Sequence, residues 1–126
     1  MIILDPESSI PLYLQLQTQL IESIVRGDLS TGDTLPSVRK LAADLGINMH
    51  TVNKSYHELE SKEIIEIVHK KGAVIIADKE TAASKKQRED ITVELRPVVA
   101  EALVHGMKKE EIQELISNIM LKMKED

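Results

Sequence analysis

Residues 35–60, LPSVRKLAADLGINMHTVNKSYHELE, decide the fold, because they read as two short helices joined by a tight turn. In the first, Val38, Leu41, Ala42 and Leu45 recur at helical spacing, and Ser37 after Pro36 stands where it can cap the N-terminus. Gly46 supplies the left-handed step that ends a helix, and Ile47 gives the turn something to bury. Asn48 is placed to cap the second helix. There Met49, Val52, Tyr56 and Leu59 share one face and are expected to point into a core, which leaves His50, Asn53, Lys54 and His57 on the other. That outer face carries hydrogen-bond donors and no carboxylate. A helix lying in a DNA major groove needs this, because base edges are read by such side chains near the helix N-terminus. The plainer alternative is an ordinary solvated helix face.

Downstream, Ile64–Val68 and Gly72–Ala77 are β-branched runs separated by His69, Lys70 and Lys71, which reads as a β-hairpin with a basic tip. Lysines also protect an edge hairpin from aggregation, but beside a helix-turn-helix they point to phosphate or minor-groove contact. Upstream, from Pro11 to Arg26, Tyr13, Leu16, Leu20, Ile21 and Ile24 share a face, Pro11 sits where a first-turn proline is tolerated, and Gly27 ends the helix. This helix is expected to cross the other two and close a three-helix core. Residues 28–36, DLSTGDTLP, form a loop turning at Gly32-Asp33. The loop lacks the glycines and lysine of a nucleotide-binding P-loop. Ile2-Ile3-Leu4 is a short apolar run expected as a strand adding to the hairpin sheet.

The order of these pieces, PLYLQLQTQLIESIVRGDLSTGDTLPS, then VRKLA, then INMHTVNKSYHELE and the hairpin, resembles the winged helix-turn-helix of the GntR superfamily of bacterial transcription regulators over residues 11 to about 77. The resemblance implies that Ser37 and Arg39 position phosphate and contact bases, and that Asn48, His50, Thr51 and Asn53 occupy contact positions of the reading helix. Lys40, Lys54, His57, His69, Lys70, Lys71 and Gly72 complete the expected DNA-binding set. The chain departs from the family at several points. Lys70 stands in the first glycine position of the wing tip, Val74 replaces an aromatic residue, and Glu63 stands where a helix-ending glycine is common. Several relatives have arginine where this chain has Met49 and Asn53. Bidentate guanine reading is therefore less available from that helix, Asn53 can pair with adenine, and Arg39 becomes the leading guanine reader.

At 126 residues with 42% hydrophobic side chains, the chain has room for one domain and a small appendage. With no cysteine it forms neither a disulfide framework nor a thiolate metal site. No apolar run approaches a membrane span of about 18 residues, and no signal-like segment precedes the first helix, so a cytoplasmic protein is expected. A net charge of −5 argues against indiscriminate nucleic-acid binding. Its distribution is uneven: Arg39, Lys40, Lys54, Lys70 and Lys71 oppose only Asp44 on the proposed reading surface, while acids gather elsewhere. A basic patch on an acidic body fits a protein that presents one face to DNA.

From Asp78 the composition shifts to alanine, lysine and glutamate. Ile91, Leu95, Val98, Ala102 and His105 recur at helical spacing, with Pro97 expected to bend or split the helix and Gly106 to end it. Lys109–Lys124 make a last helix with Ile112, Leu115, Ile116, Ile119, Met120 and Met123 on one side. Two such helices cannot bury both stripes on each other, so a second copy of the chain is the expected partner; the alternative is a tail folded back on its own DNA-binding domain. This tail resembles the two-helix C-terminal region of the short YtrA-type subgroup, which the resemblance implies is a dimerisation element.

The expected architecture is therefore mainly α with a small β-wing: a winged helix-turn-helix domain over residues 1–77, then a two-helix dimerisation tail over 78–126. The expected function is a dimeric repressor binding an inverted-repeat operator in double-stranded DNA. The resemblance implies control of its own and a neighbouring transporter-type operon. No cofactor, catalytic group or bound metal is expected, and the chain is read as a non-enzyme. A small-molecule effector at the apolar helix interfaces stays open. So do a metal-responsive sensor using His50, His57, His69 or His105, and a winged helix acting through protein partners. Against the sensor, His50 and His57 lie two turns apart, about 10 Å along a helix, too far to share one ion.

Overall fold

A computed structural model describes residues 2–125 as five helices and one three-stranded sheet. Helix α1 (Leu12–Arg26) starts just after Pro11, which stands at the N-cap instead of in the first turn; its carbonyl accepts hydrogen bonds from the Leu14 and Gln15 amides, each 3.0 Å. Leu16, Leu20 and Ile24 turn inward with Gln17, while Tyr13 and Ile21 are half-buried. Gly27 closes the helix at a φ of 85°, a conformation open to glycine at little cost.

The apolar run at the N-terminus is not a strand. Instead the Gln19 side-chain amide accepts from the Ile3 N–H (2.8 Å) and donates to its carbonyl (2.6 Å). One turn earlier, Gln15 accepts from the Asp5 N–H (2.9 Å) and donates to the carbonyls of Asp5 (2.9 Å) and Ile10 (2.7 Å). Two glutamines on one helix face thus bond the backbone of Ile3 and Asp5 where a neighbouring strand would otherwise have paired with it.

The third strand comes from the segment expected as loop. Strand β1 (Thr34–Leu35) pairs antiparallel with β3 (Gly72–Ile75), which also pairs with β2 (Ile65–Val68), giving the order β1-β3-β2. Thr34 faces Val74 and Leu35 faces Ala73, while Ile65, Ile67 and Val68 face Ile75, Ala73 and Gly72. Burial of Leu35, Ile65, Ala73 and Ile75 on one face fixes that register, because a slip by one residue would turn the apolar set outward. The hairpin arms are shorter than the β-branched runs. The Ile64 carbonyl is taken by the amides of Ile76 (3.0 Å) and Ala77 (3.1 Å), and Glu63 steps through a φ of 63° as α3 ends.

Helices α2 (Val38–Leu45) and α3 (Met49–Ser61) form the pair anticipated from their caps. Ser37 Oγ accepts from the Lys40 amide at 3.2 Å, and Asn48 Oδ1 from the His50 amide at 2.7 Å. Each such cap contributes about 1 kcal/mol. Gly46 adopts the left-handed conformation, and the Ile47 amide reaches back to the Ala42 carbonyl. Val52, Tyr56 and Leu59 are buried as expected, but Met49 is not: it is 43% exposed, and Ser55 points inward with them. Met49 is the first residue of its helix and lies beyond the turn that meets the core. Ser55 is small enough to let α3 approach α1, and its hydroxyl donates to the Tyr13 carbonyl. The core of Leu16, Leu59, Ile65, Ile75 and Val52 removes each of these side chains from water, stabilising by roughly 1.5–3 kcal/mol apiece.

The chain divides into two units, Met1–Lys79 and Glu80–Asp126. In the second, α4 (Lys85–Val104) opens on a capping box, in which Ser84 and Gln87 each bond the other's backbone amide. Pro97 does not split this helix, contrary to one of the two expectations for it: α4 runs through it from Lys85 to Val104. The proline lacks the N–H that would have bonded the Val93 carbonyl, and the helix continues on either side of it. Gly106 (φ 83°) ends α4, with its amide on Leu103 and the Met107 amide on Ala102. Helix α5 (Lys109–Glu125) starts where Glu111 accepts from the Lys108 amide at 3.0 Å. No side chain of α4 or α5 is buried.

Candidate nucleic-acid interface

The residues expected to meet DNA lie at three places in the first unit: the N-terminal turn of α2, the outer face of α3, and the β2–β3 tip. The wing is pressed against the start of α2. A Cβ added to Gly72 would stand 2.0 Å from the Leu35 carbonyl oxygen and 2.8 Å from the Pro36 carbonyl carbon, so only glycine fits there. Immediately after Pro36 come Ser37, Arg39 and Lys40. The Tyr56 hydroxyl donates to the Pro36 carbonyl at 2.7 Å, which ties the middle of α3 to the same junction. Burial pushes the Tyr56 phenol well above the ordinary tyrosine range, so it stays a neutral donor.

These side chains are not equally available. Ser37 spends its oxygen on its own helix end. Arg39 is exposed and pairs with no acid among the described residues. Lys40 makes a solvent-exposed pair with Asp44 at 3.2 Å, a contact of roughly 0–1 kcal/mol that water and phosphate can replace. In α3, Asn48 Oδ1 is used as a cap, but its amide NH2 can still donate outward. His50, Asn53 and His57 are exposed, and Thr51 is half-buried. Lys54 is the exception, since its ammonium lies 3.9 Å from the centroid of the Tyr13 ring. That cation–π contact is with α1, and the sequence pattern gave no hint of it, because Tyr13 reads as a core position.

At the wing tip His69, Lys70 and Lys71 are all exposed. The Lys71 amide closes the turn on the Val68 carbonyl at 2.9 Å, and Lys70 adopts a φ of 64°. Lysine therefore stands in the left-handed conformation that the first wing glycine would have adopted freely, and Glu63 does the same at the end of α3. Each accepts a strain of about 1–2 kcal/mol. Met49 was missed as a surface residue: it stands beside the α3 cap with an apolar side chain open to solvent. Arginine at this position in resembling sequences was the available signal.

Among the described residues no three His, Cys, Asp or Glu side chains converge as a metal site would require. His105 approaches only Glu101, at 3.9 Å. Among the described residues no helix is long and apolar enough to cross a membrane.

The family profile described as "Bacterial regulatory proteins, gntR family" matches residues 12–75, which span α1, the helix-turn-helix and the wing. The chain belongs to the GntR family. This regulator is 36% identical over 124 residues to the HTH-type transcriptional repressor YtrA of Bacillus subtilis, an alignment covering 98% of the chain and 95% of the relative. Its fold is similar to that of a transcriptional antiterminator from Listeria monocytogenes EGD-e, with a TM-score of 0.86 at 28% identity, covering 100% of this chain and 94% of the other. It is also similar to YtrA from Sulfolobus acidocaldarius, a GntR-family transcription factor, with a TM-score of 0.61 at 36% identity and coverage of 96% and 97%. The regulator is thus a DNA-binding transcription regulator of winged-helix fold and not an enzyme.

Proposed function

We propose that the regulator is a dimeric repressor that binds an inverted-repeat operator and controls its own and a neighbouring transporter-type operon from the cytoplasm. Arg39, His50, Asn53 and His57 supply exposed donors on α2 and α3 that pair with no acid among the described residues, and this observation carries the DNA-contact reading. In this reading Arg39 takes guanine, Asn53 adenine, and Met49 the methyl group of thymine. Lys40, Lys70, Lys71 and His69 meet phosphates, Ser37 and Gly72 shape the backbone approach, and the Asn48 amide and Thr51 hydroxyl serve the first turn of the reading helix. Lys54 acts at closer range, through Tyr13. The name of the B. subtilis relative supports repression in preference to activation.

The dimer reading rests on the second unit. Ile91, Leu95, Val98, Leu115, Ile116 and Ile119 are exposed, Ala102, Ile112 and Met123 are half-buried, and neither helix buries a side chain. Two helices with that much apolar surface in water are stabilised by a second copy. Two shallow grooves of about 430 and 390 Å³ lie on this unit, one against Leu115 and Ile119 and one against Leu95 and Val99. They are where an apolar effector would compete with the partner copy.

Fluorescence anisotropy with the regulator's own promoter fragment and a scrambled fragment, at two salt concentrations, tests the reading. The expected result is promoter binding that survives unlabelled competitor and weakens steeply with salt. Equal, weak, salt-erased binding to both fragments would overturn it. Sedimentation of a Leu115→Glu, Ile119→Glu variant as a monomer, against a dimeric parent, is the expected companion result.

A further inference from the structure

Glu60 is the next-to-last residue of α3, where a carboxylate opposes the negative end of the helix dipole. An acid placed there is stabilised by a donor that offsets the opposition, and the donor is in the wing. Half-buried Glu60 accepts the Ile67 amide on Oε2 at 2.8 Å. The pairing of β2 explains why that amide is available. The Ile76 amide donates to the Ile64 carbonyl at 3.0 Å, so these two residues form a bonded pair. Antiparallel alternation then sends the N–H groups of Glu66 and Val68 toward β3 and those of Ile65 and Ile67 to the outer edge. Glu60 takes the edge amide nearer the tip.

The opposite strand of the hairpin is held from its other side. The Gly32 amide donates to the Ile75 carbonyl at 2.8 Å, and the Ile75 amide donates to the Asp33 carbonyl at 2.9 Å. One turn before Glu60 on α3, Tyr56 bonds the Pro36 carbonyl against which Gly72 is pressed. Two side chains of the reading helix, on one face, thus reach both strands of the wing. Lys70 stands three residues beyond Ile67, about 10 Å along a strand, so a tilt of about 15° at Ile67 carries the tip about 3 Å. A hydrogen bond to phosphate does not survive a displacement of that size.

We propose that Glu60 is a positioning residue for DNA: through the Ile67 amide it fixes the wing tip at the angle to α3 from which Lys70 and Lys71 reach phosphates while the reading helix lies in the groove. The inference rests on the wing–phosphate reading above. Glu60 therefore raises affinity for a polyanion although it is itself an acid.

The test uses the full-length regulator, a site recovered from random DNA by in vitro selection, and anisotropy titrations over a series of salt concentrations. Glu60→Gln keeps a side-chain oxygen at the same reach without the charge, whereas Glu60→Asp keeps the charge one methylene short. Glu60→Gln is expected to bind within about twofold of the parent, and both Glu60→Asp and Glu60→Ala at least about fivefold more weakly, with a lower salt slope. If charge alone mattered, Glu60→Gln and Glu60→Ala would bind alike and more tightly than the parent, because an acid near DNA has been removed; that pattern overturns the proposal. In a Lys70→Ala, Lys71→Ala background the further loss from Glu60→Asp or Glu60→Ala should shrink to less than about twofold. Undiminished losses there would show that Glu60 acts on the fold and not through the tip, and would also overturn it. Hydrogen exchange supplies a readout independent of DNA: the Ile67 amide should exchange faster in Glu60→Asp and Glu60→Ala than in the parent and Glu60→Gln, and equal exchange in all four removes the bond the proposal stands on. Lys70→Ala, Lys71→Ala by itself is measured first, with an expected fall in salt slope of about two units. An unchanged affinity and slope there would refute the wing–phosphate reading itself, and the role of Glu60 would fall with it.

Discussion

Replacing Gly72 by alanine tests whether the wing is held by close approach to the start of α2. The substitution carries two separable costs. Gly72 has a φ of 102°, where an L-residue is strained by about 1–2 kcal/mol whatever surrounds it. The new Cβ would also lie 2.0 Å from the Leu35 carbonyl oxygen, so β1 or β3 must move by about 1 Å to restore van der Waals contact. That movement acts on the pairing of Leu35 with Ala73 and on the 2.7 Å bond from Tyr56 to the Pro36 carbonyl. Weakening a bond to a buried hydroxyl costs about 1–3 kcal/mol. Together the loss is about 3–4 kcal/mol, a large fraction of the roughly 5–15 kcal/mol that stabilises a domain.

Gly32→Ala supplies the control. Gly32 has a similarly positive φ of 91°, but nothing lies within 4 Å of its ideal Cβ, so only the strain of about 1–2 kcal/mol applies. Urea unfolding of both variants, followed by far-ultraviolet circular dichroism, measures the difference directly. The expected excess for Gly72→Ala is about 2 kcal/mol, accompanied by weaker DNA binding as the tip shifts. Equal losses at the two positions would refute the close-packed junction and leave backbone conformation as the whole effect.

Other consequences are equally direct. Arg39→Ala should weaken operator binding by about 1–3 kcal/mol and relax the preference for guanine at its position, whereas Lys71→Ala, a phosphate contact in this reading, should weaken binding to all sequences alike and lower the salt slope by about one unit; equal specificity losses in anisotropy titrations would contradict the distinction. Burial raises the folded-state pKa of Tyr56, so its stabilising contribution is fully present below the ordinary tyrosine value of about 10. As pH rises above 10 the unfolded state loses the proton first, and stability should fall by up to about 1.4 kcal/mol per pH unit until the folded pKa is reached. Tyr56→Phe should remove that alkaline loss in pH-dependent unfolding while costing about 1 kcal/mol near neutrality through the missing bond to Pro36.

The elements that were legible in the sequence are those whose stability is local. Ser37, Gly46, Asn48, Gly27 and Gly106 each act within a few residues of themselves, so cap and stop chemistry marked the helix ends closely. The positions that were not legible depend on partners far along the chain. Thr34–Leu35 is too short to show a period, and becomes a strand only because Ala73 and Val74 arrive beside it. Ile2–Leu4 looks like a strand by composition, yet Gln15 and Gln19 satisfy its neighbourhood first. The same distinction runs through the candidate interface. A face of donors on α3 could be inferred from spacing, but the engagement of Lys54 by Tyr13, the open position of Met49 and the holding of Ile67 by Glu60 are all settled by contacts between elements. The residues that choose bases can therefore be read from one helix at a time. Those that decide how firmly that helix is held, and how far it can shift, are distributed over α1, the β1 loop and the wing. A substitution series confined to the reading helix would measure the first property and leave the second unexamined.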